Sequence, residues 1–283
     1  MIRACALVLA VAVAGCASQA ADRAAQDDAR NAGSTRPRVV SINPCVDAVL
    51  MQVAEPGQIA AISHYSQDPR ATSIPLDQAR RFAATSGTAE EVVAEAPDIV
   101  IAGAHVAPAT IAALHRMRIR LVQIGVPESI AESEAQIRTI AAAVHQRQRG
   151  EQLVARIDAA VRAASVQHGP APAALIWQGG GLVPGEGTLA SELLSRTGYR
   201  NMSGDYGLKQ WDVLPLEHLV ARPPQVLLSV GAEDSSDRML RHPVLAGLLQ
   251  AIAVRRYPER LLHCGGPTII DAVAHLARIR RAL

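Results

Sequence analysis

Short apolar runs alternate with amphipathic stretches along most of this chain. "RVVSI" (38–42) reads as a buried strand, and a helix through "CVDAVLMQVA" follows, closed by a turn at Pro56-Gly57. "QIAAIS" (58–63), "PDIVIAG" (97–103) and "RLVQIG" (120–125) are further short runs rich in β-branched residues. Helical patterns at 88–96 and 108–117 lie between them. Strands alternating with helices predict α/β units built on parallel strands.

The pattern then changes. Residues 128–166 contain no proline and one glycine, and Ile137, Ile140, Val144, Leu153 and Ile157 fall at mostly helical spacing. A near-continuous helix of that length would reach roughly 50 Å at 1.5 Å per residue. It is expected to act as a strut between domains rather than as a crossover. After "HGPAPA" the alternation resumes with "ALIWQ" (174–178).

The two halves echo each other. "EEVVAEAPDIVIAG" begins at Glu90 and "EHLVARPPQVLLSVG" at Glu217. Glu90 and Glu217, Val93 and Val220, Ala94 and Ala221, Pro97 and Pro224 all match at one offset of 127. Each segment is a short helix opened by a glutamate, stopped at proline and followed by an apolar strand.

Composition narrows the class. At 283 residues and 49% hydrophobic content the chain can build a large domain or two ordinary ones. A formal charge of +2 gives no ground for a nucleic-acid partner. The opening "MIRACALVLAVAVAGCASQA" has a positive start at Arg3 and a short apolar run, and closes on "VAGC". This resembles a bacterial lipobox, with residues 1–16 a signal peptide and Cys16 the lipidated mature N-terminus. Ordinary cleavage after Ala20 would instead leave a soluble periplasmic protein. Residues 17–36, rich in Ala, Asp and Gln without apolar periodicity, suit a flexible tether. The expected domains are then a first lobe at 37–127, the connecting helix at 128–166 and a second lobe at 167–283. Cys5 leaves with the signal and Cys16 takes the lipid, so Cys45 and Cys264 remain, in an oxidising compartment.

Thr88-Ala89-Glu90-Glu91 fits a capping box with Thr88 as N-cap, which leaves Glu90 free to point outward. Glu217 takes the same first-turn slot in the second half. Favourable interaction with the helix dipole accounts for each acid alone, but not for the repetition.

Together, "RVVSINPCVDAVL", "AISHYSQDP", "GTAEEVVAEAPDIVIAG", "ALIWQGGGLVPGEGTLASELLSRTGYRN" and "WDVLPLEHLVARPPQVLLSV" resemble the substrate-binding proteins of bacterial ABC importers for vitamin B12 and ferric siderophores. The likeness covers about residues 37–280, in the layout of the vitamin B12-binding members. It implies two similar Rossmann-like α/β lobes joined by a long rigid helix, with the ligand in the cleft between them. It implies partners too: an ABC permease with its ATPase, a small-molecule metal chelate, and the membrane through the lipid anchor. The protein would be a periplasmic monomer and not an enzyme, with no cofactor beyond the carried cobalt corrinoid or ferric chelate.

By family position Glu90 and Glu217 dock onto permease arginines, while His64, Tyr65, His105, Trp177, Trp211 and the loop 178–187 line the cleft. Exposed aromatic faces suit a corrin ring, though Trp177 and Trp211 also qualify as core. The glycine run lacks phosphate-loop spacing, and its glycines are expected to admit a bulky ligand. Cys45 and Cys264 fall on loops facing the same cleft, a departure from the vitamin B12 binders. An interlobe disulfide, thiolate contact with a metal or corrinoid cobalt, and two free thiols are all open. Arg70, Arg80 and Arg81 would favour an anionic ferric siderophore. A free-metal receptor would draw ligands from Cys45, Cys264, His64, His105 and His263. No GxSxG elbow supports a hydrolase, and the serines of "GTLASELLSR" lie on a helical pattern.

Overall fold

The first apolar run becomes β1 (Val39–Ser41), the middle strand of a five-stranded sheet whose strands all run parallel. Its neighbours are β2 (Ile59–Ser63), β3 (Ala83–Thr85), β4 (Ile99–Gly103) and β5 (Arg120–Ile124), in the order β3-β2-β1-β4-β5. This computed structural model describes residues 36–165, 169–230 and 252–283, of which Arg38–Leu283 belongs to one compact unit. The expected signal peptide, the Cys16 lipidation point and nearly all of the tether lie outside the described residues.

The second lobe holds β6 (Ala173–Trp177), β8 (Arg200–Asn201), β10 (Val226–Val230) and β11 (Ala253–Tyr257) in a parallel sheet ordered β11-β10-β6-β8. Beside it β7 (Leu182–Val183) and β9 (Asp212–Val213) form a short antiparallel ribbon. With the edge strand β3 set aside, both large sheets run second, first, third, fourth. β4 and β10 take the same slot, and their residues stand at the offset of 127 read from the sequence. The expected pair of similar α/β lobes is present.

Helices cover the sheets where apolar positions recur at helical spacing. In α1 (Pro44–Val53) the buried Val46, Val49, Leu50 and Val53 make one stripe. Complete burial of a side chain such as Leu50 contributes about 1.5–3 kcal/mol. The intervening helices of lobe one are α2 (Leu76–Ala79), α3 (Ala89–Ala94) and α4 (Pro108–Arg116).

The single long helix expected over 128–166 is instead two helices, α5 (Ile130–Ala143) and α6 (Arg147–Ala164), folded against each other. The chain turns at His145, whose φ of 57° lies in the left-handed region. Gln146 N–H bonds back to the Ala141 carbonyl at 2.7 Å, and the buried Gln58 of lobe one donates to the Val144 carbonyl at 3.0 Å. Gly150, the lone glycine, marks the contact: a Cβ there would stand 2.6 Å from the Ala141 Cβ.

The strut role falls to α6 alone, about 27 Å long at 1.5 Å per residue for its 18 residues. Near its start, Arg149 donates to the Val53 and Ala54 carbonyls at the end of α1, both at 3.3 Å. It also packs along α9 (Thr268–Arg281) of lobe two. The described residues of lobe two also form α7 (Leu189–Arg196) and α8 (Leu216–Ala221).

Candidate functional site

Because every strand of the first sheet is parallel, the loops after β1, β2, β4 and β5 all leave from one edge. After β1, Asn43 caps α1, its Oδ1 accepting from the Cys45 and Val46 amides at 2.8 and 3.2 Å. Gly103 at the end of β4 leaves room for that cap, since a Cβ there would lie 2.6 Å from Asn43 Nδ2. Cys45 is thereby fixed in the first turn of α1.

From lobe two comes the segment Leu261–Gly266, which precedes α9. Its Gly265-Gly266 pair threads between α1 and α5. A Cβ on Gly265 would meet Ser133 Oγ at 2.7 Å and Pro127 Cγ at 3.0 Å, and Gly266 has φ of 61°. Gly266 N–H donates to Ser133 Oγ at 2.7 Å. The close passage brings Cys264 onto Cys45, and the two form a disulfide with Cα atoms 5.2 Å apart. Of the three possibilities left by the sequence, this is the interlobe bridge. Neither sulfur is then a thiolate available to a metal.

Around the bridge lies a cavity of about 290 Å³ bounded by both lobes and by α5. Lobe one contributes Asn43, Cys45 and the stretch Ile124–Glu128; lobe two contributes the start of α7, Gln210, Trp211 and Leu261–Gly266. Trp211 (38% exposed) and Val126 (81%) leave apolar surface at its margin. Among the described residues, Glu128 and His263 are the ionisable side chains in its wall. Glu128 Oε1 accepts from Gln210 Nε2 at 3.3 Å, tying the chain after β5 to lobe two. His263 Nε2 stands 3.9 Å from Glu259, and its buried Nδ1 has no hydrogen-bond partner among the described residues.

Of the sequence-predicted site residues, Cys45, Cys264 and Trp211 meet here. Trp177 does not: it is 0% exposed, packed with Leu175, Val183, Leu214, Leu219 and Leu227 in the core of lobe two. His64 and Tyr65 sit exposed on the turn after β2, ring centroids 4.1 Å apart, and His105 is exposed after β4. They share the edge from which the cavity loops leave but lie outside its lining. Arg70, Arg80 and Arg81 are likewise exposed and outside it. In the loop 178–187, Gly185 makes room for the chain's own backbone rather than for a ligand: its Cβ would lie 2.4 Å from the Lys209 carbonyl carbon. Val126, Glu128, Ser133 and Gln210 carry no motif and were missed. The Gly-Gly pair after Cys264 was the available signal for a close interlobe contact.

Glu90 and Glu217 are exposed, each the second residue of its helix. Thr88 caps α3 as expected, but Glu91 bonds the Ser86 amide and the Ser86 and Thr85 hydroxyls instead of closing a capping box. Those hydrogen bonds, the Ser86 amide first, hold its pKa below the ordinary value.

The turn carrying His64 and Tyr65 is anchored by Asp47, which is wholly buried in α1. Its Oδ2 accepts from the Ser63 amide at 2.9 Å and the Ser66 hydroxyl at 2.6 Å. Burial pushes this carboxyl up to about 7. The folded state therefore holds a proton that the unfolded state releases near pH 4, and stability falls as pH rises from about 4 through 7. Asp47→Asn keeps the acceptor and removes the titration. Its unfolding free energy relative to the parent should rise across that window, with a slope of at most about 1.4 kcal/mol per pH unit. Urea midpoints at pH 5 and pH 8 test this, and a pH-independent difference would refute it.

A family model described as "Periplasmic binding protein" matches residues 39–257. No curated protein matches the chain. Among solved structures, the periplasmic heme-binding protein RhuT from Roseiflexus sp. RS-1 is 23% identical with TM-score 0.68, over 86% of this chain and 97% of that one. The periplasmic heme-binding protein HutB of Vibrio cholerae is 14% identical with TM-score 0.72, over 87% and 99%. The periplasmic vitamin B12-binding protein BtuF of Vibrio cholerae is 16% identical with TM-score 0.66, over 87% and 98%. At these identities the likeness concerns the fold. The family match runs from the first residue of β1 to the last of β11, taking in both parallel sheets, and the chain belongs to the periplasmic binding protein family.

Proposed function

We propose that this protein is the substrate-binding component of an ABC importer, capturing a corrinoid or related metal chelate between its lobes and delivering it to the permease. The observation that carries this reading is the interlobe cavity, mostly apolar in its lining and edged by Trp211 and Val126. Apolar walls with a few placed polar groups suit a broad ligand with polar edges. At about 290 Å³ the cavity takes one side of a macrocycle, leaving the remainder against the rim. Solved proteins of this fold include heme and vitamin B12 binders. Lipid on Cys16 would hold the monomer at the membrane, and Glu90 and Glu217 would seat it on the permease.

The ferric-siderophore reading draws less support, since Arg70, Arg80 and Arg81 stand away from the cavity. The free-metal reading loses its two thiolates to the disulfide. Among the described residues, no three His, Cys, Asp or Glu side chains gather as a metal site.

The test is a fluorescence titration of the form starting at Ala17 with cobinamide, cobalamin and heme. The chain has two tryptophans, one in the core and one at the cavity. Saturable quenching at submicromolar corrinoid, lost in Trp211→Phe, is the expected result. Response to heme alone would transfer the assignment to a porphyrin, and silence toward all three would overturn the macrocycle reading.

A further inference from the structure

Nothing in capture and delivery requires a covalent bond between the lobes, yet this chain makes one in the wall of its cavity. Cys45 belongs to α1 of lobe one and Cys264 to the turn before α9 of lobe two. We propose that the Cys45–Cys264 bridge is a reducible latch: closed, it pins the two lobes at the cavity wall; opened by a dithiol, it lets that wall part.

Three observations support a latch over a buried structural staple. First, its place: the bridge lines the cavity with Asn43, Gln210 and Trp211, so a small reagent entering the cavity meets it. Second, the two residues differ in exposure, Cys45 being half-buried and Cys264 8% exposed. Third, among the described residues the polar ties beside it are reversible hydrogen bonds: Gly266 N–H to Ser133 Oγ at 2.7 Å, Gln210 Nε2 to Glu128 Oε1 at 3.3 Å, and Ile130 N–H to Glu192 Oε2 at 2.8 Å. Once the sulfur–sulfur bond breaks, these hydrogen bonds hold that wall, and the Gln210–Glu128 bond among them is open to exchange with water.

The chemistry balances with a dithiol as reductant. One dithiol thiolate attacks the Cys45 sulfur, forming a mixed disulfide and expelling Cys264 as thiolate, which takes up a proton. The second dithiol sulfur then displaces Cys45 and closes the reagent into a cyclic disulfide. Two electrons and two protons pass from the dithiol to the protein.

The test needs no bound ligand, so its failure is separable from failure of the importer reading. The purified protein is treated with dithiothreitol without denaturant, and amide hydrogen exchange is compared before and after. The expected result is complete reduction of the native fold and exchange at least about tenfold faster at the Gly266 amide and the start of α5, with β1, β4, β6 and β10 unchanged. Cys45→Ala combined with Cys264→Ala should reproduce the reduced pattern; should that variant not fold, reduction of the folded protein carries the test. Reduction only in denaturant, unchanged exchange at Gly266, or equal acceleration across both sheets would each overturn the latch.

Discussion

If Glu90 and Glu217 dock the protein on a permease as proposed, replacing both by alanine should lower uptake on the order of a thousandfold, while ligand affinity of the isolated protein should stay within about twofold. The magnitude follows from docking chemistry. A carboxylate received by an arginine pocket makes charge-assisted, often bidentate bonds, and losing one such buried pair costs about 2–5 kcal/mol. Two pairs at the low end give about three decades in complex formation. Both side chains are exposed in the first turns of α3 and α8, away from the cavity wall, which predicts an unchanged ligand site. The loss of helix-dipole interaction costs only about 0.3–1 kcal/mol each, so the fold survives. Radiolabelled corrinoid uptake by cells, paired with the fluorescence titration, measures both quantities. Near-normal uptake by the double variant would remove the docking role from these residues.

The second large effect separates the tryptophans. Trp177→Ala should lower unfolding free energy by about 3–5 kcal/mol, the usual cost of emptying a large aromatic site. At about 2–4 °C per kcal/mol, that is a fall of roughly 10 °C in Tm. Trp177 is fully enclosed and packs on β10 and under the β7–β9 ribbon through Leu227, Val183 and Leu214. Trp211→Ala is the counterpart. With 38% of its surface exposed it should change Tm by only a degree or two while abolishing the corrinoid response. Calorimetry of both variants decides the matter, and a stable Trp177→Ala protein that no longer binds ligand would return Trp177 to the cleft.

That contrast shows where sequence reasoning reached. The strands were legible because parallel core strands read as continuous apolar runs, and β1, β2, β4, β5, β6 and β10 fall within a residue or two of where those runs stand. The repeat was legible because β4 and β10 occupy equivalent slots in sheets of one order. The break in the connecting helix was not. It carries neither proline nor glycine, and its stop is made by His145 backbone geometry and by Gln58 reaching across from lobe one. Trp177 was misplaced for a related reason. An aromatic at the end of a strand can face cleft or core, and a ribbon of two-residue strands, too short for any pattern, covers it. The pairing of Cys45 with Cys264 could be weighed but not decided, because it depends on Gly265 and Gly266 passing close to Ser133 and Val49.

The bridge has a consequence for biogenesis. Its cysteines lie 219 positions apart, so it closes nearly the whole described fold into one covalent ring. In a chain made from its N-terminus, Cys45 is in place long before residue 264 appears. The interval between contains no other cysteine, so no further thiol is added between Cys45 and its partner. The first lobe can complete its sheet while the molecule still waits for its last helix. Once the ring is shut, a single peptide cut between residues 46 and 263 leaves both pieces in one molecule.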